Sequence, residues 1–198
     1  MDRRTFLIRA VQLAGGVAGL HVASACRRDP PTPDAGPIVA PPAKPYALQF
    51  FTPAEVPTLE AALERMFPSD GAAGPPGAQA AHLLEYLDRQ MMEPHFESLH
   101  RMMRTGVLYL DKLAMREQKQ PFAALPAAAQ DDILARFQVG AVRGMTFPQQ
   151  RFFDTLHSFG LEGTWGDPKY GGNPDKIVWR WAGIDPHCGG HIYAGCGG

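Results

Sequence analysis

The stretch TPAEVPTLEAALERMFP, residues 52–68, decides the fold. Thr52 stands where a helix N-cap belongs, Pro53 follows at the first helical position, and Glu55 occupies the capping-box position three residues after the threonine. Val56, Leu59, Leu63, Met66 and Phe67 then recur at spacings of three and four, which places them on one face of a 3.6-residue period. Pro57 falls within the first turns, where a missing backbone donor costs least. A helix is expected here, ended before Pro68.

The same period repeats outward from this segment. Beyond the turn-rich SDGAAGPPGA, the run AQAAHLLEYLDRQMM puts Leu83, Leu84, Leu87 and Met91 on one stripe. A longer segment opens at Pro94 and carries Phe96, Leu99, Met103, Val107, Leu110 and Leu113 in register. Residues 127–139, entered through Pro126, add Ile133, Leu134 and Phe137. Thr146, Pro148 and Gln149 repeat the start signal, after which Phe152, Phe153, Leu156 and Phe159 form an aromatic face that Gly160 is expected to end. No sustained period-two run and no fixed repeat occurs. The expected fold is all-α: a small irregular helical bundle with a Gly-rich turn and an irregular C-terminal tail. Met91, Met92, Met102 and Met103 read as core filler rather than the lining of a cofactor site.

At 198 residues, 45% hydrophobic and 20% charged, the chain is long enough for one globular domain with extensions. Its formal charge of -1 gives no basic footprint, so nucleic acid is not an expected partner.

The extensions are legible as addresses. Adjacent Arg3 and Arg4, with Phe6 and Leu7 close behind and a mildly apolar Gly/Ala-rich run to Ala25, resemble a twin-arginine signal, read by the twin-arginine translocase. The alternatives are an amphipathic helix of the domain or an ordinary secretory signal. The run is too short to span a bilayer, which takes about 20 apolar residues. The end of it, VASAC, satisfies a small-x-small cleavage rule and also resembles a lipobox that would place a lipid on Cys26; both stay open. Residues 26–45 are Pro-rich with few large apolar side chains, and read as a semi-extended tether. The domain organisation follows: a signal peptide over 1–25, a linker over 26–45, a helical domain over 46–186 and a Gly/Cys tail over 187–198.

Catalytic constellations are not found. Glu97 and His100 form one E-x-x-H, but a di-iron bundle needs a second copy and two more carboxylates, so a solvated helix face is the better reading. There is no G-x-S-x-G, no P-loop, no G-x-G-x-x-G and no C-x-x-C-H. No catalytic, cofactor-binding or metal residue is assigned to this chain. In the tail, Cys188 and Cys196 are a natural disulfide pair in an oxidising compartment; a bond to a partner, a zinc site with His187 and His191, and free thiols are the alternatives.

The densest unusual chemistry is GDPKYGGNPDKIVWRW, residues 166–181. Glycines mark sharp turns, Asn173 reads as a cap with Pro174 at the first position of a short helix, and Trp179 and Trp181 follow. Aromatics beside a rigid turn suit either a protein-binding anchor or a small satellite core. DPKYGGN followed by W, together with the upstream FTPAEVPTLEAALERMFPSD, resembles the gluconate 2-dehydrogenase subunit 3 family over about residues 50–186. The resemblance implies a non-catalytic helical subunit that carries the export signal for a folded, FAD-dependent dehydrogenase large subunit similar to glucose-methanol-choline oxidoreductases. It implies haem c in a cytochrome c third subunit and a periplasmic location. Asp167, Pro168, Tyr170, Gly171, Gly172, Asn173 and Trp179 match as signature positions that shape the turn or a docking surface. The tail with its two cysteines and the lipobox are not explained by it. Two further readings stay open: a membrane-tethered binding module, held through a lipid on Cys26, and a small metalloprotein using Glu97, His100 and the tail.

Overall fold

In the computed structural model, which describes residues 46–184, the first helix starts as a capping turn. The Glu55 carboxylate accepts from both the backbone N–H and the hydroxyl of Thr52, each at 2.8 Å, while the Glu55 N–H donates to the Thr52 carbonyl at 2.9 Å. Residues 53–55 are used up in that turn, so α1 runs Val56–Met66, three residues later than Pro53 at its first position predicts. It buries Thr58, Leu59, Ala62 and Leu63. Val56, Met66 and Phe67 of the predicted stripe sit at its half-buried edges.

The next helix, α2 (Leu83–Met91), buries Leu83, Tyr86, Leu87, Asp88 and Met91. A 3-10 stretch over Pro94–Leu99 then leads directly into α3 (His100–Gln118), whose inner face is Met103, Gly106, Val107, Leu110, Leu113 and Ala114. A short turn at Phe122–Ala124 precedes α4 (Ala127–Gln138), which buries Ile133, Leu134 and Phe137. Helix α5 (Gln149–Trp165) is followed by two 3-10 turns, Pro168–Tyr170 and Pro174–Lys176, and by α6 (Ile177–Ala182). Among the described residues there are six α-helices and no strand, so the all-α bundle is what the chain forms.

Helix α5 is the hub: it packs against each of the other five. Phe152, Leu156 and Phe159 carry its contact face into a single core shared with Leu59, Leu63, Leu87, Met91, Met103, Leu110 and Phe137. Each such buried side chain contributes about 1.5–3 kcal/mol relative to an exposed one. Gly160 does not end this helix, as its sequence position suggested; the helix continues to Trp165. The residue is glycine because the Phe67 ring lies against it, where any Cβ would collide with the ring. Of the four methionines read as core, Met91 and Met103 are fully buried, but Met92 stands half exposed at the end of α2.

Asp88 fixes where the chain enters this bundle. Its carboxylate, fully buried, accepts from the Tyr46 hydroxyl at 2.9 Å and from three consecutive backbone N–H groups: Gln49 at 2.7 Å, Phe50 at 3.1 Å and Phe51 at 2.8 Å. Buried charge is tolerable when donors surround it, and each donor here comes from the entering segment. Arg104 completes the clamp by donating to the Phe50 carbonyl and lying over the Phe50 ring, 4.5 Å from its centroid.

Candidate functional site

The turn that joins α5 to α6 is built almost entirely of residues with a stated geometric duty. The Asp167 carboxylate accepts from the Lys169 N–H at 3.0 Å and so caps the Pro168–Tyr170 turn, with Pro168 at its first position. Gly171 follows at φ 101°, a conformation that strains any side chain, and a Cβ there would run into Arg89. Gly172 lies backbone to backbone against Gly163 of α5, a separation that leaves no space for a Cβ.

Asn173 is the pivot. It is fully buried, adopts φ 48°, and its N–H donates to the Ala81 carbonyl at 2.9 Å. Its side-chain amide donates to the Gly166 carbonyl at 3.2 Å, and its side-chain oxygen accepts from the Val178 N–H at 2.8 Å. One residue thereby joins three elements: its backbone N–H holds the entry to α2, and its side chain ties the end of α5 to the first turn of α6. The expected capping role is present but displaced: Asn173 caps α6 through Val178 rather than the short turn beside it. Ile177 and Val178 then seat α6 in the core.

Aromatics on this turn and on the two helices it joins face outward. Tyr170 is 52% exposed, Trp165 44% and Trp181 38%, with Leu161 exposed one turn back on α5. Trp179 is half-buried and donates its indole N–H to the Trp165 carbonyl at 2.9 Å; that of Trp181 donates to the Ala73 carbonyl at 3.3 Å, in the GAAGPPGA loop. The stretch divides, residue by residue, into buried and exposed positions. Gly172, Asn173, Ile177 and Val178 are buried, the last two in the shared core, and Trp165, Tyr170 and Trp181 are exposed.

Cations are interleaved with these rings. The Lys169 amine lies 4.8 Å from the Tyr170 centroid and the Lys176 amine 5.8 Å from that of Trp179. Beneath them, the Tyr86 hydroxyl donates to the Glu162 carboxylate at 3.0 Å; burial raises the pKa of this phenol, and the neighbouring Glu162 charge adds to the effect. Arg89 pairs with Glu85 at 2.8 Å beside Gly171. The arrangement offers hydrogen-bonding and apolar contact to a partner surface, on a base that the Asn173 bonds hold in one shape.

The remaining sequence-assigned residues fall elsewhere. Arg3, Arg4, Phe6, Leu7, Cys26, Cys188 and Cys196 lie outside the described residues, as do His187 and His191. Glu97 is exposed on the 3-10 stretch, whereas His100 begins α3 with its Nε2 2.6 Å from the Met91 carbonyl and its ring against Phe50. The two sit on different helices, so their E-x-x-H spacing is not a single helical turn. Among the described residues no three His, Cys, Asp or Glu side chains converge as a metal set. His157 stacks between Phe67 and Phe153, at centroid distances of 5.4 and 6.2 Å.

Two residues escaped the sequence reading. Asp88 falls four positions after Leu84 and three before Met91, on the apolar stripe of α2, and a carboxylate in that place is the visible sign of a buried acceptor. Trp165 lies beyond Gly160, where residue type predicts the helix to end, so its place on α5 is visible only in the structure.

A family model described as gluconate 2-dehydrogenase subunit 3 matches residues 53–186, which contain all six helices and the signature turn. No curated protein matches the chain, and no solved structure does.

Proposed function

The chain belongs to the gluconate 2-dehydrogenase subunit 3 family, and from that premise we propose that it is the non-catalytic small subunit of an FAD-dependent sugar or alcohol dehydrogenase, which it binds, stabilises and escorts through the twin-arginine route. A family of dehydrogenase subunits implies a complex with a larger dehydrogenase chain. The single observation that carries the docking part is the exposed trio Trp165, Tyr170 and Trp181, on and beside a turn that Asn173 immobilises from below. Large aromatics held rigid lose little entropy on binding, which is what makes them effective anchors. In this reading the FAD and any haem c belong to the partner chains. Arg3 and Arg4 address the pair to the periplasm, and a lipid on Cys26 would hold it at the membrane.

The test is co-expression in the native host with a tag on this chain. A co-purifying oxidoreductase with a flavin absorbance spectrum, reduced by Tyr170→Ala with Trp165→Ala, is the expected result. A colourless chain that elutes alone refutes the subunit reading. The escort part is separate: Arg3→Lys with Arg4→Lys should retain both chains in the cytoplasm, and continued export of the flavoprotein would end it.

A further inference from the structure

Between α1 and α2 runs an open groove of about 750 Å³ that the subunit reading does not use. Val56 and Ala61 of α1 and Leu84 of α2 give it apolar walls. Three carboxylates, Glu60, Glu64 and Glu85, stand along it, and no lysine or arginine among the described residues lines it. Glu85 is paired with Arg89, and Glu64 accepts from the Ser69 N–H at 3.1 Å. Glu60 is exposed and makes no ion pair among the described residues.

The chain itself enters at the edge of this groove. Tyr46 lines it, and the four donors on Asp88 fix the position of the segment from Tyr46 to Phe51. Whatever precedes Tyr46 must therefore start there. What precedes it is GPIVAPPAKP, residues 36–45: Ile38 and Val39 as the large apolar side chains, four prolines, and Lys44 as the only charge. Prolines fix φ in advance, so laying such a segment into a groove costs less entropy than ordering a generic linker. In extended polyproline form the ten residues reach roughly 31 Å. The 11 residues of α1 measure about 17 Å, so the segment is long enough to follow the groove from end to end.

We propose that residues 37–44 dock in the α1/α2 groove as an intramolecular strap, with Ile38 and Val39 on its apolar walls and Lys44 among its carboxylates. The strap covers apolar surface that the bundle otherwise exposes. It also shortens the free tether to the residues before 37, and with it the distance that the leader or a lipid on Cys26 can stand from the folded domain. The inference is independent of which partner docks at the signature turn.

The experiment places the photo-cross-linker p-benzoylphenylalanine at position 39 of the full chain and maps its products by peptide mass spectrometry. The strap requires cross-links within one chain, to peptides covering residues 56–64 or 83–85, at a yield independent of protein concentration. Glu60→Lys, at an exposed position that leaves the helix intact, should lower that yield about two- to fivefold, the range open to an exposed ion pair. Amide exchange at Ile38, Val39, Ala40 and Ala43 should be at least about tenfold slower than in the free peptide of residues 36–45. Cross-links to a second copy or to another protein overturn the proposal, as do amides that exchange at the rate of the free peptide.

Discussion

Replacing Asn173 by alanine removes both side-chain hydrogen bonds of the signature pivot at once. The Val178 N–H, 2.8 Å from the lost oxygen and buried, is left without its acceptor; an orphaned buried donor costs about 1–3 kcal/mol. The backbone at φ 48° adds a second term, because alanine tolerates the left-handed region less well than asparagine by roughly 1 kcal/mol. Together the loss should be about 3 kcal/mol. With a urea slope of about 1–3 kcal/mol per molar, the unfolding midpoint should fall by about 1–3 M. Asn173→Gly separates the two terms, since glycine accepts the positive φ but supplies neither bond; it should be roughly 1 kcal/mol milder than the alanine variant. Circular dichroism across a urea series measures both. A midpoint for Asn173→Ala within about 0.3 M of the parent would refute the pivot, because no buried donor can then have been orphaned. Equal loss in the alanine and glycine variants would refute the backbone part alone.

Tyr170→Ala and Trp165→Ala alter exposed side chains, so each should leave the unfolding free energy within about 0.5 kcal/mol of the parent while weakening capture of the larger dehydrogenase chain in a pull-down. Glu117 lies below the ordinary carboxyl value of 4.5, chiefly through its hydrogen bond from Arg136 and further through Arg116. Its folded pKa is depressed, so its contribution is present above the ordinary value and lost as pH falls through the folded one; Glu117→Gln should flatten that acid limb in a series of melts. The Tyr46 hydroxyl is pushed up from 10.0 to about 12 by burial and by its bond to Asp88. The neutral phenol is the folded form, so its contribution is whole below 10 and disappears as pH rises toward about 12; Tyr46→Phe should reduce the alkaline loss, read by tryptophan fluorescence. Asp88→Ala strands three backbone donors from Gln49 to Phe51, and limited proteolysis should then cut the entering segment first.

The helices were written in the sequence because their cause is local. Leu59 and Leu63, or Phe152, Leu156 and Phe159, need only a 3.6-residue period to share a face, and the Thr52 and Glu55 pair announces a helix start within four residues. The signature turn was legible for the same reason, since Pro168, Gly171 and Asn173 declare their backbone conformations by residue type. Tertiary structure decided everything that depends on a distant neighbour. Gly160 reads as a helix end until the Phe67 ring lies beside it, the donors to Asp88 come from the segment from Tyr46 to Phe51, 37 to 42 residues away, and Asn173 meets the Ala81 carbonyl only where α2 and α5 pack. A residue's own conformational preference travels with it along the chain, whereas a steric collision or a shared hydrogen bond between remote segments exists only after the core has brought them together.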